Sequence, residues 1–243
     1  MYIKIYLKYI YIFMELLESH FSKIDGNLVH IVEEDTYEMF SNKQGNSKHI
    51  NYLTFKRLFE EMKNLKNPII LESGIASHGT KSTYLFNEYV KKYGGFLWSV
   101  DTNKKLIDLN ESKMCPATKL ICDDSVKFFK DWSKNNVSAD VIYLDSYDLD
   151  FYNPEPSGNH GLAEYEALLP VIKKNTLLLI DDTPKNPYWL DFRNKKIYDD
   201  MVNYYNKNNY LPGKGMFVLN NIKNANLLMH NYQLLYKFYD SPI

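Results

Sequence analysis

Two segments, Ile142-Tyr143-Leu144-Asp145-Ser146 and Leu177-Leu178-Leu179-Ile180-Asp181-Asp182-Thr183, decide how the chain is read. Each is an apolar run that stops abruptly at carboxylates. Such a run reads as a strand of a parallel sheet, buried on both faces. Its acids then emerge at the carboxyl end, where open α/β sheets bind their ligands. Neighbouring strands lie about 5 Å apart, so pairing of these two would bring Asp145, Asp181 and Asp182 to one spot. Carboxylates that close repel unless they are protonated or share a cation. A hard divalent metal, which takes oxygen ligands, resolves the conflict.

Outward from these strands, the pattern predicts a strand–helix alternation. A lead-in helix spans 51–65, with Leu53, Phe55, Leu58, Phe59 and Met62 at helical spacing. Strands follow at Pro68–Glu72, Phe96–Asp101, Thr118–Cys122, Val141–Asp145 and Leu177–Asp181. Helices are expected at Ser82–Tyr93, stopped by Gly94-Gly95, and at Ser125–Lys134, Leu162–Lys173 and Lys195–Asn206. Pro170 is placed to kink or shorten the third of these. Two last strands, Met216–Leu219 and Gln233–Tyr239, have no obvious helix between them and read as an antiparallel pair. The fold class is α/β: a Rossmann-like doubly wound, mostly parallel sheet with an antiparallel C-terminal hairpin and helices on both faces. Residues 1–50 read as an N-terminal extension and 51–243 as one domain.

A chain of 243 residues can bury a sizeable core. Its formal charge of −1 supplies no electrostatic drive toward nucleic acid. Cys115 and Cys122 have neither metal-ligand spacing nor the count of a disulfide framework, which points to a reducing, cytoplasmic compartment. Residues 1–13 are apolar and aromatic but carry Lys4 and Lys8, and fit neither a signal peptide nor a spanning helix. Two readings of them stand side by side: an upstream start with Met14 as the true one, or an interfacial or partner-binding segment.

Acids close the other strands as well. Glu72 ends the first and is followed by Gly74, Ser77, Gly79 and Thr80 in a turn before a helix. That spacing is not G-x-G-x-x-G, and an acid there would repel a diphosphate. It suits a ligand carrying cationic and hydroxyl groups, with an ordinary glycine-containing βα turn as the alternative. Asp101 ends the second strand, where a ribose diol is gripped in nucleoside-binding sheets. Asp123, Asp124 and Ser125 close the third. Capping of the next helix accounts for at least one of these, and an adenine-facing role is the alternative for another.

In this order and spacing, Glu72-x-Gly74, Asp101, Asp123/Asp124-Ser125 and Asp145 resemble the cofactor and catalytic motifs of class I S-adenosylmethionine-dependent methyltransferases. The resemblance covers about 68–184. It implies S-adenosylmethionine as cofactor, with Glu72 and Gly74 at its methionine part and Asp101 on the ribose hydroxyls. Asp145 with Asp181 and Asp182 resembles the metal site of magnesium-dependent O-methyltransferases of the catechol and macrolide-sugar types. That implies Mg²⁺ or Mn²⁺, and a small hydroxylated acceptor such as a sugar or a surface-polysaccharide or natural-product precursor. The alternative for Asp181 and Asp182 is the capping of a turn before Pro184.

The catechol type carries a lysine base three positions after its first metal aspartate, and here that position is Asp148. His160, in the Pro- and Gly-rich segment 151–161, is the candidate base in its place, with helix N-terminal packing as the alternative. That segment reads as a substrate-covering loop. Glu164, one turn on, is placed to orient His160 or to reach the metal. His20, His30, His49 and His230 join no visible constellation. A homo-oligomer is compatible with this reading; a nucleic-acid partner or a membrane span is not expected. Asn153-Pro154-Glu155-Pro156 resembles an amino-methylase motif only superficially, being too far from its strand and lacking the final aromatic residue. The remaining rivals are a nicotinamide-dependent oxidoreductase, which lacks its phosphate-binding glycines here, and a non-catalytic protein retaining the fold, which the gathered acids disfavour.

Overall fold

The first core strand, β3 (Ile69–Ser73), lies inside a seven-stranded sheet, next to its central strand, and pairs in parallel on both sides. From it the chain moves outward through β4 (Phe96–Asp101) and β5 (Thr118–Cys122). It then crosses back to lay β6 (Val141–Leu144) and β7 (Leu177–Ile180) on the other side. The antiparallel hairpin of β8 (Ala225–His230) and β9 (Leu234–Phe238) completes the order β5-β4-β3-β6-β7-β9-β8. This is the architecture expected from the strand–helix alternation. A separate hairpin, β1 (Leu28–Ile31) and β2 (Thr36–Met39), precedes the sheet. The computed structural model describes residues 14–39, 47–75, 79–190 and 194–243. The segment 1–13 and the loop residues Ser77 and His78 lie outside the described residues.

Seven helices carry labels: α1 (Tyr52–Met62), α2 (Ser82–Tyr93), α3 (Lys104–Glu111), α4 (Ser125–Lys134), α5 (Glu155–Leu168), α6 (Lys195–Asn208) and α7 (Val218–Asn221). Period-two alternation along the strands divides the core in two. On β6, Val141 and Tyr143 face one layer while Ile142 and Leu144 face the other. The first layer packs on α1 and α2 through Phe55, Phe59, Leu85 and Phe86, all essentially fully buried. The second packs on α4 and α5 through Phe129, Tyr165 and Leu168. Each such side chain contributes about 1.5–3 kcal/mol by leaving water. Leu17 and Phe21, from the helical residues 14–21, join the first layer, with Phe21 5.5 Å from Tyr52 and 5.9 Å from Phe55 between ring centroids. No helix among the described residues is long and apolar enough to cross a membrane.

Two expectations are corrected. Met216–Leu219 is not a strand: the chain turns there into α7, and the hairpin partner of β9 is Ala225–His230. A four-residue apolar run has no periodicity that separates helix from strand, and Met216 and Val218 are buried against α5 rather than on the sheet. The helix expected at Leu162–Lys173 is α5, which begins seven residues earlier and ends at Leu168 in a 3₁₀ turn at Leu169–Val171. The segment 155–161 is therefore helical and not an open loop. Pro156 is tolerated because the first helical turn has no N–H bond to lose. Pro170 shortens the helix as expected.

Candidate functional site

Strand order reverses at the β3/β6 boundary, which is the topological switch point where open sheets bind ligands. Gly74 makes this boundary possible. Its φ is +83°, and a Cβ there would stand 2.4 Å from the Asp145 carbonyl oxygen. A cavity of about 1090 Å³ opens over the carboxyl ends of the strands at this point.

On β6 and β7, Leu144 pairs with Ile180, and the next residues, Asp145 and Asp181, follow in register. Carboxylate oxygens of Asp145, Asp181 and Asp182 all lie within 4.8 Å of one another, as strand pairing required. Their surroundings were not legible in advance. Lys214 Nζ donates to Asp145 Oδ1 at 2.6 Å and stands 3.3 Å from Asp182 Oδ2. Asp181 Oδ1 accepts from Gln233 Nε2 at 2.8 Å and Asn51 Nδ2 at 3.2 Å. The Tyr143 hydroxyl lies 2.9 Å from Asp181 Oδ2 and 3.2 Å from Asp145 Oδ2. Tyr232 donates to Asp182 Oδ1 at 2.8 Å.

Burial, together with the Asp181 charge, holds the Asp145 carboxyl well above the usual carboxylate range, and Lys214 opposes the rise. Burial alone would depress the Lys214 ammonium, but Asp145, Asp182 and Asp181 outweigh it and hold its pKa well above the ordinary lysine value. The only early signal for Lys214 was its place in Gly213-Lys214-Gly215. Those glycines let its backbone press against Asp182 and Thr183.

Do these residues suit a divalent cation? The acids supply oxygen donors only, as Mg²⁺ and Mn²⁺ prefer. One ammonium faces three carboxylates, an excess of negative charge that a cation would offset. Asn51 Oδ1 and Gln233 Oε1, on the amides that hold Asp181, are buried acceptors with no hydrogen-bond partner among the described residues. The donor set and the charge fit.

The other expected site residues divide into three groups. Gly74, Gly79, Thr80, Asp101, Asp123, Asp124 and Ser125 line the cavity. Ser77 lies outside the described residues. Glu72 does not reach the cavity wall: fully buried, it accepts from Ser82 Oγ, Thr83 Oγ1 and Ser99 Oγ at 2.6–2.7 Å. Burial pushes its carboxyl up to about 7 against those three hydroxyls. Asp101 accepts from the Ile75 and Asn103 amides and so shapes the turn after β3. Asp124 caps α4, accepting from the Lys127 amide at 2.8 Å, and Asp123 pairs with the Lys127 ammonium.

His160 also lines the cavity, but it is held away from the three acids. Its Nε2 lies 3.0 Å from Ser125 Oγ and 3.5 Å from Glu164 Oε1, and its ring packs 5.3 Å from Tyr147. The bond to Glu164 raises its pKa against the effect of burial. Glu164, itself buried, accepts from Ser146 as well, so it orients both neighbours of Asp145's loop. His20, without a constellation in the sequence, bonds the Thr80 carbonyl oxygen at 2.8 Å and ties the N-terminal helix to the cavity loop.

Among solved structures, the chain is similar to the MycE methyltransferase of the mycinamycin biosynthetic pathway, solved with Mg, S-adenosylhomocysteine and mycinamycin VI. Identity is 16%, the match covers 79% of this chain and 50% of MycE, and the TM-score is 0.52. The chain has the class I methyltransferase fold. Two further similar structures are the S-adenosylhomocysteine-bound methyltransferase PaMTH1 of Podospora anserina (13% identity, 71% and 72% covered, TM-score 0.48) and the CurJ carbon methyltransferase (13%, 79% and 54%, 0.47). This chain spans half the length of MycE. No family model and no curated protein matches it. In this fold the cavity and the three acids occupy the switch point.

Proposed function

We propose that this protein is an S-adenosylmethionine-dependent O-methyltransferase that acts on a small, polar, hydroxylated acceptor with help from a divalent cation. The observation that carries this reading is the convergence of Asp145, Asp181 and Asp182 on a large cavity at the switch point. The MycE structure, solved with Mg and S-adenosylhomocysteine together, supports it by analogy of fold. A cavity of about 1090 Å³ exceeds what one ligand of ordinary size fills, and so leaves room for cofactor and acceptor together. Its wall is rich in Asn, Asp, Ser and Thr, which suits an acceptor with several hydroxyls such as a sugar or a surface-polysaccharide or natural-product precursor.

S-adenosylmethionine supplies an electrophilic methyl group on a sulfonium: the C–S bond breaks, a C–O bond forms, and the acceptor hydroxyl loses its proton. Asp145, Asp181 and Asp182 would hold Mg²⁺ or Mn²⁺, which when bound supplies positive charge that makes a nearby hydroxyl more acidic. The chain's own residues do the remaining work. Gly74 leaves the backbone open at the switch point, and Asp101 fixes the turn beside it. Asn51, Gln233 and Tyr143 hold Asp181 in one orientation. Asp145, whose carboxyl group lines the cavity, is one candidate to take the hydroxyl proton. His160 is the second candidate, on the far side of Ser146 and kept more basic by Glu164.

The test combines ligand binding with turnover. S-adenosylhomocysteine should raise the melting temperature of the wild-type protein, since a ligand that binds only the folded state stabilises it by about 2.7 kcal/mol at a hundredfold excess over Kd. Asp145→Asn should retain that shift yet lose on the order of 10²–10⁴ in methyl-transfer rate. No shift with the nucleoside would sink the methyltransferase reading. Full activity in Asp145→Asn would remove Asp145 from the chemistry and leave His160 as the base, which His160→Ala then tests.

A further inference from the structure

Lys214 is the feature of the site that the proposed chemistry does not use. Its side chain is almost wholly buried, and its ammonium lies against both Asp145 and Asp182. Its backbone cannot drift. The Lys214 amide donates to the Asp182 carbonyl at 3.2 Å, and the Gly215 amide donates to Thr183 Oγ1 at 2.9 Å. On the other side, a Cβ on Gly161 of α5 would stand 2.2 Å from the Lys214 carbonyl oxygen. A lysine clamped between α5 and the loop after β7 has one place to put its charge, and that place is among the acids.

A divalent cation bonded at about 2.0–2.6 Å to the two oxygens that Lys214 faces, Asp145 Oδ1 and Asp182 Oδ2, would compete with the ammonium for the same space. Two positive centres in so small a buried space repel strongly, and the same two oxygens cannot serve both. We infer that Lys214 is a tethered cation that competes with a divalent metal for Asp145 and Asp182, and so sets how tightly the site holds metal. This rests on the reading of the three acids as a metal site. On it, the lysine keeps the acids folded when metal is absent, and metal must displace it to enter.

The experiment titrates Mn²⁺ alone, without nucleoside or acceptor, into wild-type protein, Lys214→Met and Lys214→Gln. Bound Mn²⁺ is read by electron paramagnetic resonance and stability by thermal melting, with Asp145→Asn as the control for location. Both lysine variants should bind Mn²⁺ at least tenfold more tightly than wild type. They should also melt lower than wild type in chelator and recover more on adding Mn²⁺. If either variant is unfolded in chelator, recovery of its fold by Mn²⁺ supports the inference and failure to recover overturns it. Mn²⁺ binding to wild type at Asp145 with equal or weaker binding in the variants overturns the competition and leaves the metal site standing. Absence of Mn²⁺ binding in all of them overturns the metal reading itself.

Discussion

At the scale of single residues, Glu72 and Asp145 show how one residue type takes opposite roles by position. Both end core strands, yet Glu72 points into the protein and Asp145 into the cavity. A carboxyl raised to about 7 in the folded state holds a proton that the unfolded chain has already released by pH 5 or so. Its contribution to stability is therefore greatest below the unfolded value near 4.5 and falls as pH rises toward 7, by about 3 kcal/mol. Glu72→Gln is neutral at every pH and should lose that slope. Melting curves between pH 4.5 and 8 check it: equal declines in both proteins would show that the slope comes from elsewhere. His160 runs in the same direction, its raised pKa adding stability below the ordinary histidine value that fades as pH climbs past the folded one. The acid that closes a strand is visible in the sequence. Which way its side chain turns depends on the hydroxyls that happen to stand opposite, here Ser82, Thr83 and Ser99.

At the scale of elements, the start of α4 is where capping and ligand contact compete. Asp124 has the extended backbone of an N-cap and its carboxylate already accepts from the Lys127 amide. Asp124→Ala should cost about 1 kcal/mol of stability while leaving S-adenosylhomocysteine affinity unchanged. A large loss of affinity at unchanged stability would make Asp124 a ligand contact instead. Element boundaries were legible where termination has a local cause: α2 stops at Gly94, whose φ is +81°, and α5 stops at Leu168, just before the 3₁₀ turn that holds Pro170. They were not legible at the start of α5, where glycines and prolines resemble a loop but serve packing. Gly158 makes room for Met216, and Gly161 for the Lys214 backbone.

At the scale of the whole molecule, the two halves of the sheet meet where Gly74 passes the Asp145 carbonyl. Any side chain there meets backbone and a left-handed φ together, costs that add. Gly74→Ala should lower stability by about 1–3 kcal/mol or more and weaken nucleoside binding in the same protein, because one contact sets both. Stability lost with binding intact would separate the switch point from the cofactor site. The N-terminal residues 14–39 also act at this scale: Leu17, Phe21 and Leu28 lie in the first core layer, and His20 reaches the Thr80 carbonyl.

The sequence by itself determined the five parallel strands of the sheet and the meeting of Asp145, Asp181 and Asp182, though not the hairpin strand β8. Period-two burial and strand pairing are local rules, and two acids that end adjacent strands must converge. Only the tertiary structure decided what stands around those acids. Lys214, Gln233, Asn51 and Tyr232 come from segments 32 to 130 residues away from Asp181 or Asp182 in the chain, and no local pattern encodes a contact made by chain crossing. Physically, the acids are placed by backbone hydrogen bonds that any parallel pair would make. Their hydrogen bonds and their one counter-charge, Lys214, come from side chains that arrive only when α1, β9 and the loop before α7 fold against them.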